Sequence, residues 1–219
     1  MTIRDVQARL TGLGFDTKGI DGIAGPKTYG AIMDYQGSKG LSPSAVLDWE
    51  TLVSLFPEGP WSTKLAERAM QIACCQVGVR EEKGPNNGIA VNAYLRAVGL
   101  NSGYSWCMAI IVWAFDEAAR SLKMHNPLVR TGGCLDQLEH TTCQVILAKD
   151  YTDPQPGDVG IIDLGKGAGH AFFVKEAGAD KATVNTVEGN TNDDGSVNGN
   201  GEYFRERAIN KTKAFIRVK

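Results

Sequence analysis

The sequence predicts an α+β chain: a small N-terminal three-helix domain, then a larger domain of helices packed on an antiparallel sheet. Three observations carry this prediction. Apolar residues recur at helical spacing from the start, with Ile3, Val6, Leu10 and Leu13 as the first set. The segment Phe56-Pro57-Glu58-Gly59-Pro60-Trp61 breaks that pattern with two prolines and a glycine. From Asp153 the period changes to two, and short strands follow one another across turns. Helices first and strands after is the α+β order.

Residues 1–56 form the first unit. Its opening helix ends at Gly12 and Gly14, and a glycine-rich loop runs from Phe15 to Gly25. Pro26 suits the first position of a second helix, with Tyr29, Ile32, Met33 and Tyr35 as its apolar positions. Asp48 caps a third, which carries Leu52, Val53, Leu55 and Phe56. So few residues bury little surface, so the unit is expected to be marginal alone. Within the loop, Gly22 and Gly25 permit positive φ, and Asp21 can bond its own loop backbone.

Residues 57–63 are a stiff linker, and residues 64–219 the second domain. Ser62 can cap a helix from Thr63 to about Val77. A polar loop over 78–88 follows, then a helix with Val91, Tyr94, Leu95 and Val98. The stretch from Trp106 to Phe115 carries no charge, and with Asp116-Glu117-Ala118-Ala119-Arg120 behind it predicts a buried helix over 106–122 capped by Ser105. Residues 123–152 show little periodicity beyond a short helix near Leu135–Glu139. Cys134, His140 and Cys143 could offer three zinc ligands, but their spacing matches no common zinc pattern and no fourth ligand is near. No metal and no cofactor are expected. Strands are expected at Val159–Asp163, His170–Glu176, Thr183–Glu188, Tyr203–Ile209 and Ala214–Val218, with a polar loop from Gly189 to Gly201.

The totals exclude several classes. With 219 residues, 42% hydrophobic and 22% charged, the composition is that of a globular protein. A net charge of −2 argues against nucleic acid as a partner. No apolar run reaches the roughly 20 residues of a membrane span. Met1-Thr2-Ile3-Arg4-Asp5 lacks the apolar segment of a secretory signal, so synthesis in the cytoplasm is expected. Five cysteines without a signal argue against a disulfide framework. A two-domain monomer is the expectation.

One constellation carries chemistry. Cys107 falls in the first turn of the predicted central helix, where free backbone N–H groups favour a thiolate. On this stretch alone it is either a nucleophile or a small buried hydrophobe. His170 opens one expected strand and Glu188 ends the next, and in an antiparallel hairpin those ends are neighbours. A thiol nucleophile needs an imidazole beside it and a carboxylate or amide to hold the other ring nitrogen. Taken singly, His170 could be a strand-edge histidine, Glu188 a solvated strand end and Asn190 a loop residue; together with Cys107 they point to catalysis.

Two resemblances extend this reading. Val6-Gln7-x-x-Leu10, Gly14-Phe15, Asp21-Gly22-x-x-Gly25-x-x-Thr28 and Tyr35-Gln36 resemble the helical peptidoglycan-binding domain of many cell-wall hydrolases. That resemblance implies ligand contacts near the glycine loop, with Asp21 and Tyr29 as candidates. Trp106-Cys107, Gln155-Pro156-Gly157-Asp158-Val159, Gly169-His170-Ala171 and Glu188-Gly189-Asn190 resemble the papain-like CHAP domain, a cysteine- and histidine-dependent amidohydrolase/peptidase. It implies Cys107 as nucleophile, His170 as base and then acid, Glu188 as the orienting group and Asn190 as a polar active-site residue. Tyr104 and Trp106 are candidate substrate contacts, with the Cys107 N–H and the Tyr104 hydroxyl as candidate oxyanion donors. The loop Leu100–Ser105 has no carboxylate, so the calcium bound there in some members is not expected.

Together the resemblances imply a peptidoglycan amidase or endopeptidase of the phage-endolysin kind, held in the cytoplasm and released to the wall through a holin. A bacterial autolysin, an interbacterial effector, a transglutaminase-like acyl transferase and a non-catalytic wall-binding protein are the alternatives.

Overall fold

The computed structural model describes residues 1–192 and 199–219. Among the described residues, seven α-helices precede and flank one sheet: α1 (Ile3–Gly12), α2 (Pro26–Ser38), α3 (Trp49–Leu55), α4 (Leu65–Cys74), α5 (Ile89–Ala97), α6 (Cys107–Leu122) and α7 (Cys134–His140). The strands are β1 (Gln144–Leu147), β2 (Val159–Gly165), β3 (Ala168–Ala177), β4 (Thr183–Thr191), β5 (Gly201–Ala208) and β6 (Ala214–Arg217). They form one sheet in the order β1-β6-β2-β3-β4-β5, with every neighbouring pair antiparallel. The α+β class is as the sequence predicts. β1, which pairs with β6 at one edge, is the element the sequence did not announce. The expected loop Gly189–Gly201 is shorter than predicted, because β4 continues to Thr191. Its centre, 193–198, lies outside the described residues. Among the described residues no helix is long and apolar enough to cross a membrane.

In the N-terminal unit two glutamines do the local work. Gln7 is buried; its side-chain N–H group donates to Asp21 Oδ1 at 2.8 Å and Thr28 Oγ1 at 3.0 Å, and its Oε1 accepts from Gly22 N at 2.8 Å. Gln36 likewise ties Val46 O and Thr51 Oγ1 and accepts from Ala45 N. Asp21 also accepts from Ile23 N at 2.9 Å, closing the loop on itself. Gly22 takes the expected positive φ of 79°. Gly25 does not; its φ is −119° at the N-cap of α2.

This unit shares a hydrophobic core with the rest of the chain. Ile3, Leu10, Ile32 and Leu52 belong to the same buried cluster as Ile72, Trp106, Phe115 and Phe173. Ile3 N donates to Val77 O and Ala24 N to Gly78 O. Gly78, at φ 111°, lies so close that a Cβ there would be 2.1 Å from Gly22 O. The linker is pinned too: Trp61 packs edge-on against Trp49 at 5.1 Å, and Gln71 Nε2 donates to Pro60 O. The marginal core expected of fewer than 60 residues is therefore completed by the second domain.

Both faces of the sheet are covered, which explains the unbroken apolar run in β3. Ala171 and Phe173 face the main core under α6, whereas Phe172 and Val174 join Tyr151, Val184, Ile209 and Phe215 in a second cluster. Asp158, ahead of β2, fastens the far end: it accepts from Tyr151 Oη at 2.7 Å and from both Arg217 Nε and Nη2.

Candidate active site

Helix α6 begins at Cys107. Trp106 supplies its N-cap position with φ −119° and ψ 10°, not Ser105 as expected, and no side chain caps it. Trp106 is held from three sides. Its indole N–H donates to Glu81 Oε1 at 2.9 Å, its ring lies 5.7 Å from that of Tyr94, and Gly189 backs onto it. A Cβ on Gly189 would sit 2.4 Å from the Trp106 ring, so only glycine allows β4 this approach. The first turn of α6 is thus fixed by a loop, a helix and a strand. Every residue from Cys107 to Phe115 is buried. Cys107 itself is 3% exposed.

The sheet brings His170 and Glu188 together. His170 Nε2 lies 2.8 Å from Glu188 Oε2, and both side chains are fully buried. Glu188 is saturated by donors: Thr186 Oγ1 at 2.6 Å and Arg207 Nε at 2.8 Å on Oε1, and Arg207 Nη2 at 2.6 Å beside His170 on Oε2. Arg207 stands opposite Val184 in the β4–β5 register and reaches four residue pairs along to Glu188. The other ring nitrogen, His170 Nδ1, is buried with no hydrogen-bond partner among the described residues.

The electrostatics couple this imidazole to the thiol. The neighbouring Cys134 thiol, then His170 and the Ala171 backbone N–H, hold the Cys107 thiol well below its ordinary value against the cost of burial. Burial alone would lower His170; the Cys107 and Glu188 charges outweigh it and raise the imidazole to about 9. Burial would likewise raise Glu188, but His170 and Arg207 bring it down to about 2. The arrangement favours a thiolate beside an imidazolium, backed by a carboxylate and a guanidinium.

The remaining candidates are distributed unevenly. Asn190 adjoins the site through Gly189; it adopts a left-handed φ of 57°, and neither polar atom of its buried amide has a partner among the described residues. Tyr104 is 57% exposed just before the helix. Trp106 is fully buried, so it supports the site from beneath instead of offering a face to substrate. Tyr29 is also buried, and burial with the Glu82 charge nearby raises its hydroxyl. Its hydroxyl lies toward Glu82 of the second domain. Asp21 is exposed. Among the described residues no group of three or more His, Cys, Asp or Glu could hold a metal ion.

Two participants escaped the sequence. Cys134 opens α7 and places its Sγ 3.6 Å from Cys107 Sγ. Arg207 was legible only as one of the alternating polar residues of β5, because the residue directly opposite Glu188 is Tyr203.

Residues 2–55 match the family model of a peptidoglycan binding domain. The chain therefore carries a peptidoglycan-binding domain at its N-terminus. A comparison with curated proteins gives no match.

Proposed function

We propose that the chain is a cysteine-dependent peptidoglycan hydrolase that cuts an amide bond of the wall, either between glycan and peptide or within the peptide. The observation that carries this reading is the polar relay at the start of α6: Cys107 coupled to His170, whose Nε2 is held 2.8 Å from Glu188. The peptidoglycan-binding domain supports the substrate class.

In this reading the Cys107 thiolate attacks the amide carbonyl carbon. The developing oxyanion is met by backbone N–H groups of the first turn of α6, which have no partner within the helix. His170, protonated, gives its proton from Nδ1 to the leaving amine. A water then loses a proton to the same nitrogen and releases the acyl group from sulfur. Glu188 fixes the tautomer throughout, and Arg207 keeps Glu188 charged. The buried amide of Asn190, without a partner among the described residues, can serve a substrate polar group. The biological setting is wall lysis, as in the phage endolysins the chain resembles.

Mass spectrometry of purified peptidoglycan digested by the protein tests this. Soluble products with new free amino or carboxyl groups and intact sugar–sugar bonds are expected. Cleavage confined to glycosidic bonds, or no cleavage, would overturn it.

A further inference from the structure

Cys134 has no part in the hydrolytic steps above, yet it lies beside the nucleophile. The two sulfurs are 3.6 Å apart, and the residues are 3% and 5% exposed. Each is the first residue of its helix, Cys107 of α6 and Cys134 of α7, and 27 positions of chain separate them. A disulfide has a sulfur–sulfur length of about 2.05 Å, so closure needs an approach of roughly 1.5 Å. That is within reach of a change in side-chain torsions.

We propose that Cys134 is a resolving cysteine: oxidation of Cys107 is captured as a reversible Cys107–Cys134 disulfide that withholds the nucleophile. The inference rests on the reading of Cys107 as nucleophile. The oxidant is a hydroperoxide. The Cys107 thiolate attacks its terminal oxygen, forming Cys107 sulfenic acid and releasing hydroxide or alkoxide. The Cys134 sulfur then attacks the Cys107 sulfur and the S–O bond breaks. The Cys134 proton leaves with that oxygen as water. Two thiol electron pairs become one S–S bond, and the peroxide is reduced. A dithiol reverses the sequence by exchange.

The rest of the molecule makes the pairing selective. Cys74 and Cys75 are buried in the core, where burial pushes both thiols up to about 12 and keeps them uncharged. Cys143 is half-buried, with its Sγ 3.9 Å from the Pro127 carbonyl. Cys107 is the one cysteine held toward the thiolate, and Cys134 is the thiol that touches it. Without a resolving partner, a reactive thiolate exposed to peroxide would proceed to irreversible acids.

The test uses the full chain, reduced, freed of reductant and exposed to graded hydrogen peroxide. Peptide mass spectrometry should find the Cys107 and Cys134 peptides joined with two hydrogens lost, in step with loss of activity on purified peptidoglycan. Dithiothreitol should reverse both. In Cys134→Ser the link should be absent, Cys107 should gain two or three oxygens, and dithiothreitol should no longer restore activity. Accumulation of oxygenated Cys107 in the wild-type chain with no link to Cys134, or linkage to another cysteine, would overturn the proposal. The two readings fail separately. A reversible link in a chain that cleaves nothing leaves the thiol pair standing and sinks the hydrolase; cleavage without a link does the reverse.

Discussion

The backbone N–H of Trp49 donates to Glu117 Oε2 at 2.8 Å, so the peptidoglycan-binding unit is hydrogen-bonded to the helix that begins with Cys107. Arg120 bridges the same carboxylate to Glu50. With a shared core and a pinned linker, the two parts should unfold together. Calorimetry of the full chain is expected to give one transition. Glu117→Ala leaves the Trp49 N–H without its acceptor and should cost about 1–3 kcal/mol. Two well-separated transitions would show that the shared core contributes little.

Glu188→Gln keeps the shape but removes the charge that holds His170 Nε2 and pairs with Arg207. By analogy with the loss of an orienting carboxylate in hydrolytic triads, kcat should fall about 10²–10⁴-fold with KM little changed. Losing the buried charge that pairs with Arg207 should also lower stability, by about 3 kcal/mol. Kinetics on a soluble muropeptide and a denaturant titration check the two effects separately.

Gly189→Ala places a methyl group 2.4 Å from the Trp106 ring and also close to Ile110. Neither neighbour is free to move, because Trp106 is tied to Glu81 and Ile110 lies within α6. Overpacking of this kind typically costs about 1–3 kcal/mol. The substitution should lower the melting temperature and, by shifting the first turn of α6, slow alkylation of Cys107. A variant as stable and as reactive as the parent would contradict this role for the glycine.

The pH dependence follows from the directions of the shifts. His170 in the folded chain, at about 9, lies above its free value of 6.5. Its contribution to stability is complete below 6.5 and is lost as pH rises through about 9. Glu188, at about 2, lies below 4.5, so its contribution is complete above 4.5 and is lost as pH falls toward about 2. These two groups together favour the window between 4.5 and 6.5. Cys107 should react with iodoacetamide well below the ordinary thiol value of about 8.5, and hydrolysis should decline as His170 loses its proton near 9. Alkylation that sets in only above about 8.5 would show an ordinary thiol.

Much of this was legible in the sequence because local rules and tertiary packing agree. The apolar run from Trp106 to Phe115 reads as a buried strand or a buried helix, and its Ala and Met with the following Asp116-Glu117-Ala118-Ala119-Arg120 favour the helix, with Cys107 near its start. The alternation after Asp153 gave the strands, and strand order alone set His170 beside Glu188. What escaped depends on contacts between distant segments. Cys134 reaches Cys107 only because α7 packs on the β2–β3 hairpin, where Gly169 leaves room for it. Arg207 finds Glu188 through cross-strand reach, which no single strand announces. β1 has mostly exposed residues and pairs with a strand some 70 positions away, so its short pattern carried little signal. Ser105 failed as a cap because Trp106, anchored by Glu81 and Tyr94, takes the N-cap position in its place.

The central claim is that the sulfur of Cys107 cuts the wall. Its most direct test compares the wild-type chain with Cys107→Ala on purified peptidoglycan, reading release of free amines in solution and sedimentation of bound protein with the walls. The expected result is amine release by the wild type, release at background in the variant, and equal sedimentation of both. Amine release by Cys107→Ala at a rate near that of the wild type would contradict the account.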